Sequence, residues 1–342
     1  MGNLSLSKVF VYHDETKEVP GRNFKGHVLL FVPVELIIIS KTPLFGLDSV
    51  EYHPRDEIAQ EVLGVRRDFN YRGKFHFSKI GGSKWGTDDL AHRKAVELVV
   101  DGLCHKHQKL FKRPLHCKLA VMFYPSEADY LIYGGETKKE QKLRHDETVL
   151  RMLLKGAAHY LYDDNNRIEV ANIISDGQPE HRSLDSDRIL WRLTYDGLYG
   201  RAPLRDYVSL SPNATIIHLP SDHRNYEPTG EEYINAHMLQ LADLMLGASL
   251  RSCYVGMTSR KTLPRIGDEC VKKDIIAQPV QEMLDKRKRG GGFRYSGHYR
   301  SFNVTLVEFS EGGANFREVH TKQVPMSDSD ALQMRFPFDG EA

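Results

Sequence analysis

The chain has no long hydrophobic run. Nowhere in its 342 residues is there a stretch of the ~18 consecutive apolar residues that a membrane-spanning helix requires. The most apolar segment, residues 28–39, is interrupted by Pro33 and Glu35. The N-terminus does not show the basic segment followed by an apolar one that directs secretion. We therefore expect a cytoplasmic protein with no membrane partner.

Cysteine is scarce. The sequence contains 4 cysteines and no pair spaced C-x-x-C, so a disulfide framework is not expected in a chain of this length. Cysteines and histidines between Cys104 and Cys117 suggest a zinc site. However, His116 and Cys117 are adjacent at the start of a predicted strand and would point to opposite faces of it. Surface histidines and a buried thiol are the favoured interpretation.

No sign of charge dominates the composition. The 47 Lys and Arg residues and 46 Asp and Glu residues leave a net charge of +1, so a nucleic-acid partner must be met by a local basic patch. The chain has no phosphate-binding P-loop, and its glycine runs lack the strand-to-helix context of a dinucleotide-binding motif. No internal repeat is present. These absences argue against P-loop enzymes, dinucleotide-binding domains and repeat proteins.

Hydrophobic periodicity predicts alternating strands and helices. Strands are predicted at residues 8–13, 26–34, 75–79, 117–124, 167–174, 215–219 and 301–309, with a hairpin partner at 315–320. Helices are predicted at residues 55–63, 87–103, 138–162, 187–198, 238–248 and 271–289. The first two strands read as an antiparallel ribbon, and the whole order is typical of an α/β domain with a mixed sheet. We assign residues 1–252 to this domain and residues 253–342 to a C-terminal extension with a basic glycine-rich loop and a short hairpin.

The helix at 238–248 is apolar on nearly every side, yet it carries Asp243. A helix without a polar face should be buried all round, and a carboxylate there needs a cation, a hydrogen-bond donor or a metal. If Asp243 only pairs with an arginine, Arg251 is the nearest candidate along the helix. Gln240 lies one turn earlier on the same face and Gly247 one turn later. Because glycine lowers helix stability, Gly247 indicates close approach by another element.

Two more aspartates end predicted strands. Asp14 closes the first strand, and Asp176 closes the strand at 167–174. Carboxylates that converge from separate elements are suited to Mg²⁺ or Mn²⁺, because hard cations prefer oxygen ligands. The simpler alternative is that both acids only begin turns. Glu15 joins such a site only if the chain turns there, because an unbroken strand would point it away from Asp14.

Three further groups are candidates for the same chemistry. His76 is a candidate proton shuttle or phosphate contact, with a satisfied histidine on a half-buried strand as the alternative. Asp146 and Glu147 on the long helix could reach a metal, although a solvated helix face is favoured. Candidate nucleic-acid contacts form a basic run followed by glycines: Lys286, Arg287, Lys288, Arg289 and Arg294. A basic helix end that complements the helix dipole, followed by a glycine stop, is the alternative.

These features resemble a bacterial family of domains of unknown function, numbered 3800, which is placed among the ribonuclease H-like folds. The resemblance covers residues 8–250 and rests on Asp14-Glu15, on Asp176 and on the segment Leu-Gln-Leu-Ala-Asp-Leu at 239–244. The chain departs from the family pattern at Thr16-Lys17, where Ser-Gly is usual, and in a longer segment between residues 221 and 240. The resemblance implies a metal-dependent, nuclease-like centre with Asp14, Asp176 and Asp243 as ligands and Glu15 as a further ligand.

We therefore predict a nuclease that acts on DNA or RNA with Mg²⁺ or Mn²⁺. In this hypothesis Asp14 bridges the metals, Asp176 and Asp243 complete the shell, and Gln240 orients a ligand or water. The first alternative is a non-catalytic component of a defence or mobile-element system that binds nucleic acid or a protein partner. The second alternative is hydrolysis of a nucleotide or another phosphate ester. Whether the chain forms a homodimer is left open.

Overall fold

One mixed sheet is the centre of the computed structural model, which describes residues 5–16, 24–34, 53–103, 117–125, 136–162, 166–176, 208–255, 263–268, 271–289, 301–310 and 313–318. Across these ranges the sheet comprises eight strands: β1 (Ser5–Thr16), β2 (Phe24–Pro33), β3 (Lys118–Pro125), β4 (Asn166–Asp176), β5 (Val208–Leu210), β6 (Ile216–Leu219), β7 (Phe302–Ser310) and β8 (Gly313–Glu318). Their order is β5–β4–β1–β2–β3–β7–β8, and β6 pairs with β4. Each element has the hydrophobic pattern expected of an α/β domain, and the predicted fold class is confirmed at that level.

Strand direction changes across the sheet. β2 is antiparallel to both β1 and β3, which confirms the predicted ribbon. β4 runs parallel to β1, and β5 and β6 run parallel to β4. On the far side, β7 is parallel to β3 and β8 returns antiparallel to β7. The described part of the predicted C-terminal extension therefore belongs to the same sheet as the first 252 residues.

Helices cover both faces of the sheet: α1 (Pro54–Asp68), α2 (Thr87–Leu103), α3 (Lys138–Leu161), α4 (Glu231–Leu250) and α5 (Lys272–Arg289). Buried side chains of α1, α2, α4 and α5 pack with Tyr12 and Val28 on one face, which we call the four-helix face. Buried side chains of α3 pack with Val11 and Leu29 on the other, which we call the α3 face. The two faces alternate residue by residue, as the pleat of a strand requires. None of the described helices is both long and apolar enough to cross a lipid bilayer.

The all-round burial predicted for α4 is confirmed. Every residue from Asn235 to Ser249 is buried except Asp243. The close approach predicted at Gly247 is also confirmed, because a Cβ at that position would lie 2.3 Å from Cγ of Phe77. Packing against the sheet and the neighbouring helices therefore accounts for the apolar surface of α4, and the one carboxylate remains at its edge.

Three sequence predictions need correction or fall outside the described residues. The strand predicted at 75–79 is wrong, because residues Phe77–Lys79 form a 3₁₀ turn and His76 is the extended residue before it. Tertiary contacts of Phe77 override the strand propensity of this short segment. The helix predicted at 187–198 and most of the Cys-His segment at 104–116 lie outside the described residues. Cys117 is buried, as expected for a thiol in the core.

Candidate functional site

Asp14 and Asp176 lie at the ends of two neighbouring parallel strands. His13 of β1 is paired with Ser175 of β4, so each aspartate follows a residue of the same pair. Adjacent strands are about 4.8 Å apart. Both carboxylates belong to the four-helix face, because they are two residues beyond Tyr12 and Ile174, which lie in that core. The strand register thus brings two acids to one edge and one face.

Asp243 adds a third carboxylate from above the sheet. α4 packs across β1, β2 and β4, and the Asp243 side chain retains 18% exposure. Burial, followed by the negative charges of Asp243 and Asp176, raises the pKa of Asp14 well above its ordinary value. A hydrogen bond from the Glu15 amide and the positive charge of Lys74 act in the opposite direction. The structure therefore brings the three predicted aspartates into one electrostatic centre.

His76 and the neighbouring main chain hold Asp243. Its Oδ2 accepts a hydrogen bond from the backbone amide of Phe77 at 2.7 Å and lies 3.1 Å from Nδ1 of His76. The imidazole is 26% exposed, so it reaches the mouth of the site. The suggested structural pairing of Asp243 with Arg251 is wrong, because Arg251 bonds Asp274 with an Nε–Oδ1 distance of 2.5 Å. A local bend in the chain, rather than a strand, brings His76 to the site.

Gln240 is fully buried, and both the oxygen and the nitrogen of its side-chain amide contact other protein groups. Its Oε1 accepts from Nη2 of Arg66 at 2.6 Å and from the amide of Phe75 at 3.0 Å. Its Nε2 donates to the carbonyl of Ser221 at 2.6 Å and lies 3.1 Å from Nδ1 of His223. An amide offers two donor hydrogens and two acceptor lone pairs, so none remains for a ligand. Gln240 therefore has no hydrogen-bonding group left to bind a ligand or water itself, and any orienting role is indirect.

Gln240 instead positions the partners of two aspartates. Ser221, whose carbonyl it binds, donates through Oγ to Oδ2 of Asp176 at 3.2 Å. Phe75, whose amide it also binds, stands two residues before Phe77, the donor to Asp243. One buried amide thus links the two segments that contact Asp176 and Asp243. We class Gln240 as a positioning residue.

Arg66 holds Gln240, a role that sequence reasoning did not assign to it. Besides binding Gln240, its Nη1 donates to the carbonyl of Gly73 at 2.6 Å, and its guanidinium lies 4.3 Å from the ring centroid of Phe75. Burial lowers the pKa of Arg66 to about 10. Its signal in the sequence is weak, because an arginine in the last turn of a helix usually interacts with the helix dipole at the surface.

Glu15 does not join the aspartates. β1 continues through Thr16, so the alternation of the strand points Glu15 to the α3 face. There its carboxylate lies 3.9 Å from Nε2 of His27. The predicted role of Glu15 as a further ligand of the aspartate centre is therefore wrong. The solvated position favoured for Asp146 and Glu147 is also wrong, because they are 5% and 1% exposed.

The predicted basic contacts are described only in part. Residues 286–289 form the last turn of α5, but their side chains and the whole of Arg294 lie outside the described residues. Among the residues that are described, a groove of about 570 Å³ lies beside the turn that carries His76, and it is lined by two acids, Asp88 and Asp89, and by four cations: Lys74, Lys79, Arg224 and Lys272. Two of them have acidic partners: Lys272 pairs with Asp89 at 2.9 Å, and Arg224 with Asp222 at 2.6 Å.

Comparison with known proteins identifies no relative. No protein-family model, no curated protein and no solved structure matches the chain. The resemblance to the ribonuclease H-like family numbered 3800 therefore stays a prediction. What the site can do is inferred from its geometry and charge.

Proposed function

We propose that this protein is a Mg²⁺- or Mn²⁺-dependent nuclease in which Asp14, Asp176 and Asp243 hold the metal and the substrate is DNA or RNA. One observation carries the proposal. Two carboxylates end adjacent parallel strands on the same face, and a third comes from the helix that packs over those strands. A bound cation would offset the negative charge of acids that meet from three elements.

The donor set fits a hard divalent cation. All three groups are carboxylates, and Mg²⁺ and Mn²⁺ prefer oxygen ligands. Burial, followed by its two acidic neighbours, raises the pKa of Asp14, and a cation between the carboxylates would favour the ionised form. A ribonuclease H-like arrangement is part of the proposal, and it is supported by the antiparallel run β3–β2–β1 with β4 parallel to β1.

Divalent ions in such a site activate water and stabilise the leaving oxygen of a phosphodiester. The chain's own residues orient the centre. The Phe77 amide and His76 fix one oxygen of Asp243, while Ser221 fixes one oxygen of Asp176. The half-buried imidazole of His76 is placed to exchange a proton between the site and solvent.

The cation-lined groove supports a polyanionic substrate. Lys74 and Lys79 flank His76 in sequence, and both border the groove. Lys74 is also close enough to Asp14 to counteract the rise in its pKa. Cations along a groove attract a phosphate backbone without selecting a base sequence. A nucleic-acid strand bound along this groove would bring one of its phosphodiester bonds towards the three aspartates.

Cleavage assays with single- and double-stranded DNA and RNA test this function. We expect Mn²⁺-dependent cleavage by the wild type and a loss of activity of more than about 100-fold in Asp243→Asn. Removing a metal ligand should lower activity at least as much as removing a residue that only orients a ligand. Asp68→Asn is the matched control, since that carboxylate is 68% exposed at the end of α1. Equal cleavage by Asp243→Asn and the wild type would refute the assignment.

The groove also favours a second candidate, a nucleic-acid-binding component without catalysis. Its cations line a surface that does not include the three aspartates, so binding does not require the metal. In that case nucleic acid would bind in a salt-dependent manner in EDTA, and Asp243→Asn would bind as the wild type does. The absence of cleavage with every substrate would then select this candidate over the nuclease.

A further inference from the structure

A second set of metal-ligand side chains lies on the α3 face. Glu15, His27 and Asp146 each present one ligand atom, and these atoms all lie within 4.8 Å of one another. Glu15 and His27 face each other directly across β1 and β2. Asp146 comes from α3, which packs on this face. Three separate elements therefore bring one imidazole and two carboxylates to one point.

A buried chain of hydrogen bonds orients His27. Its Nδ1 lies 2.9 Å from Nε2 of His13, and Nδ1 of His13 lies 3.0 Å from Oγ of Ser175. The two imidazoles stack with their centroids 5.2 Å apart, and both are 1% exposed. Metal-binding histidines are commonly held in this way through the second ring nitrogen. The other nitrogen, Nε2, is the one nearer Glu15, at 3.9 Å.

The charge and spacing of the group suit a cation. Asp146 is 5% exposed and the Glu15 side chain 16%, so both carboxylates are largely shielded from solvent, where their attraction for a cation is strong. Ligand atoms about 2.1 Å from one tetrahedral ion lie about 3.4 Å apart. Side-chain shifts of about 1 Å or less would therefore close the set around an ion. The hydroxyl of Tyr124, 3.0 Å from Nε2 of His27, would have to turn aside.

We propose that Glu15, His27 and Asp146 form a second metal site for a transition-metal dication such as Zn²⁺. One imidazole with two carboxylates favours such an ion over Mg²⁺, which prefers oxygen ligands alone. A water molecule completes the tetrahedral coordination of zinc. The ion links α3 to the β1–β2 ribbon and stabilises that contact. The site is independent of the nuclease proposal, because it lies on the other face of the sheet.

Zn²⁺ affinity of the full-length chain tests the site. Protein stripped with a chelator is titrated with Zn²⁺ against a chromophoric competitor, and Co²⁺ reports nitrogen and oxygen ligands through its visible absorption. We expect Asp146→Asn to weaken Zn²⁺ binding at least about tenfold, while Asp243→Asn, the matched change on the opposite face, retains the site. Wild-type protein that binds no Zn²⁺ overturns the proposal, as does Zn²⁺ binding that is lost in Asp243→Asn and kept in Asp146→Asn.

Folding is monitored in the same proteins. Asparagine has nearly the shape of aspartate, and far-UV circular dichroism in EDTA shows whether each variant is folded. If Asp146→Asn does not fold, Glu15→Gln replaces it, since that side chain is less buried. Zn²⁺ should raise the melting temperature of the wild type and of Asp243→Asn but not of the site variant. An equal rise in all three proteins contradicts the site.

Discussion

The two faces of the sheet differ most at the end of β1, where consecutive residues enter different environments. Asp14 joins carboxylates alone, beside a half-buried histidine and a groove bordered by four cations. Glu15 joins the buried imidazole of His27 and the buried carboxylate of Asp146 from α3. The alternation of a strand therefore separates a centre of oxygen ligands alone from a centre of mixed nitrogen and oxygen ligands. Adjacent acidic residues in a sequence need not share a site.

The largest expected effect separates the two faces. Asp14→Asn should reduce Mn²⁺-dependent cleavage by more than about 100-fold, since it removes a carboxylate from the aspartate centre. Its Zn²⁺ affinity should stay within about twofold of the wild-type value, because the mixed site keeps its three ligands. Cleavage assays and Zn²⁺ competition on the same preparation provide both numbers. A joint loss of cleavage and Zn²⁺ binding would show that the two sites are one.

Gln240→Ala should have the next largest effect, this time on stability. It leaves the buried partners of the amide unsatisfied, among them the guanidinium of Arg66 and the amide of Phe75. We expect a loss of about 2–4 kcal/mol in the free energy of unfolding, measured by urea denaturation. Gln60→Ala, at an exposed position in α1, is the control. Similar stability of the two variants would show that Gln240 does not organise the site.

Gly247→Ala tests the support of Asp243 on the four-helix face. The new Cβ would meet the Cβ and Cγ of Phe77 at 2.4 and 2.3 Å, which pushes away the residue whose amide holds Asp243. We expect a loss of about 1–3 kcal/mol together with slower cleavage. Gly156→Ala in α3 is the matched control, since nothing lies within 4 Å of its added Cβ. That change should stabilise the helix by about 0.5–1 kcal/mol.

The smallest effect concerns pH. Burial, followed by the positive charges of Arg66 and His223, lowers the pKa of His237 from 6.5 to about 2. Below pH 6.5 this imidazole is protonated in the unfolded chain but stays neutral in the folded protein. The free energy of unfolding therefore keeps its full value above pH 6.5 and falls as the pH decreases. One such group contributes a slope of up to about 1.4 kcal/mol per pH unit.

Urea denaturation between pH 7 and pH 4.5 measures this slope. His237→Phe should flatten the dependence relative to the wild type, and His53→Phe, at an exposed position, is the control. An unchanged slope in His237→Phe would show that the buried imidazole does not contribute to the loss of stability in acid.

Local pattern predicted much of this molecule. The all-round apolar character of α4 predicted its burial, and Gly247 within it predicted a close approach by another element, which the structure identifies as Phe77. The alternation of β1 already placed Glu15 opposite Asp14 as long as the strand was unbroken. The choice between strand and turn at Glu15 depended on pairing with β2, which runs to Thr16 opposite Gly26. The residue pattern of β1 alone does not show where its pairing with β2 ends.

One feature could not be predicted without three-dimensional contacts, and another could have been predicted from the sequence. The turn at 77–79 forms because Phe77 packs on Gly247 and donates to Asp243, contacts between residues more than 160 positions apart. Asp146 and Glu147 carried a readable signal that was overlooked, since they follow Leu143 by three and four residues and so share its helix face. The sequence-based interpretation gave more weight to the charge of the two residues than to this spacing, and so favoured a solvated position.

Crystals soaked in Mn²⁺ and measured for anomalous scattering test the central claim most directly. The arrangement of β1, β4 and α4 predicts an anomalous peak within coordination distance of carboxylate oxygens from Asp14, Asp176 and Asp243, on the face opposite Glu15. Carboxylates too far apart to share an ion, or one of them bonded to a guanidinium instead, would contradict it.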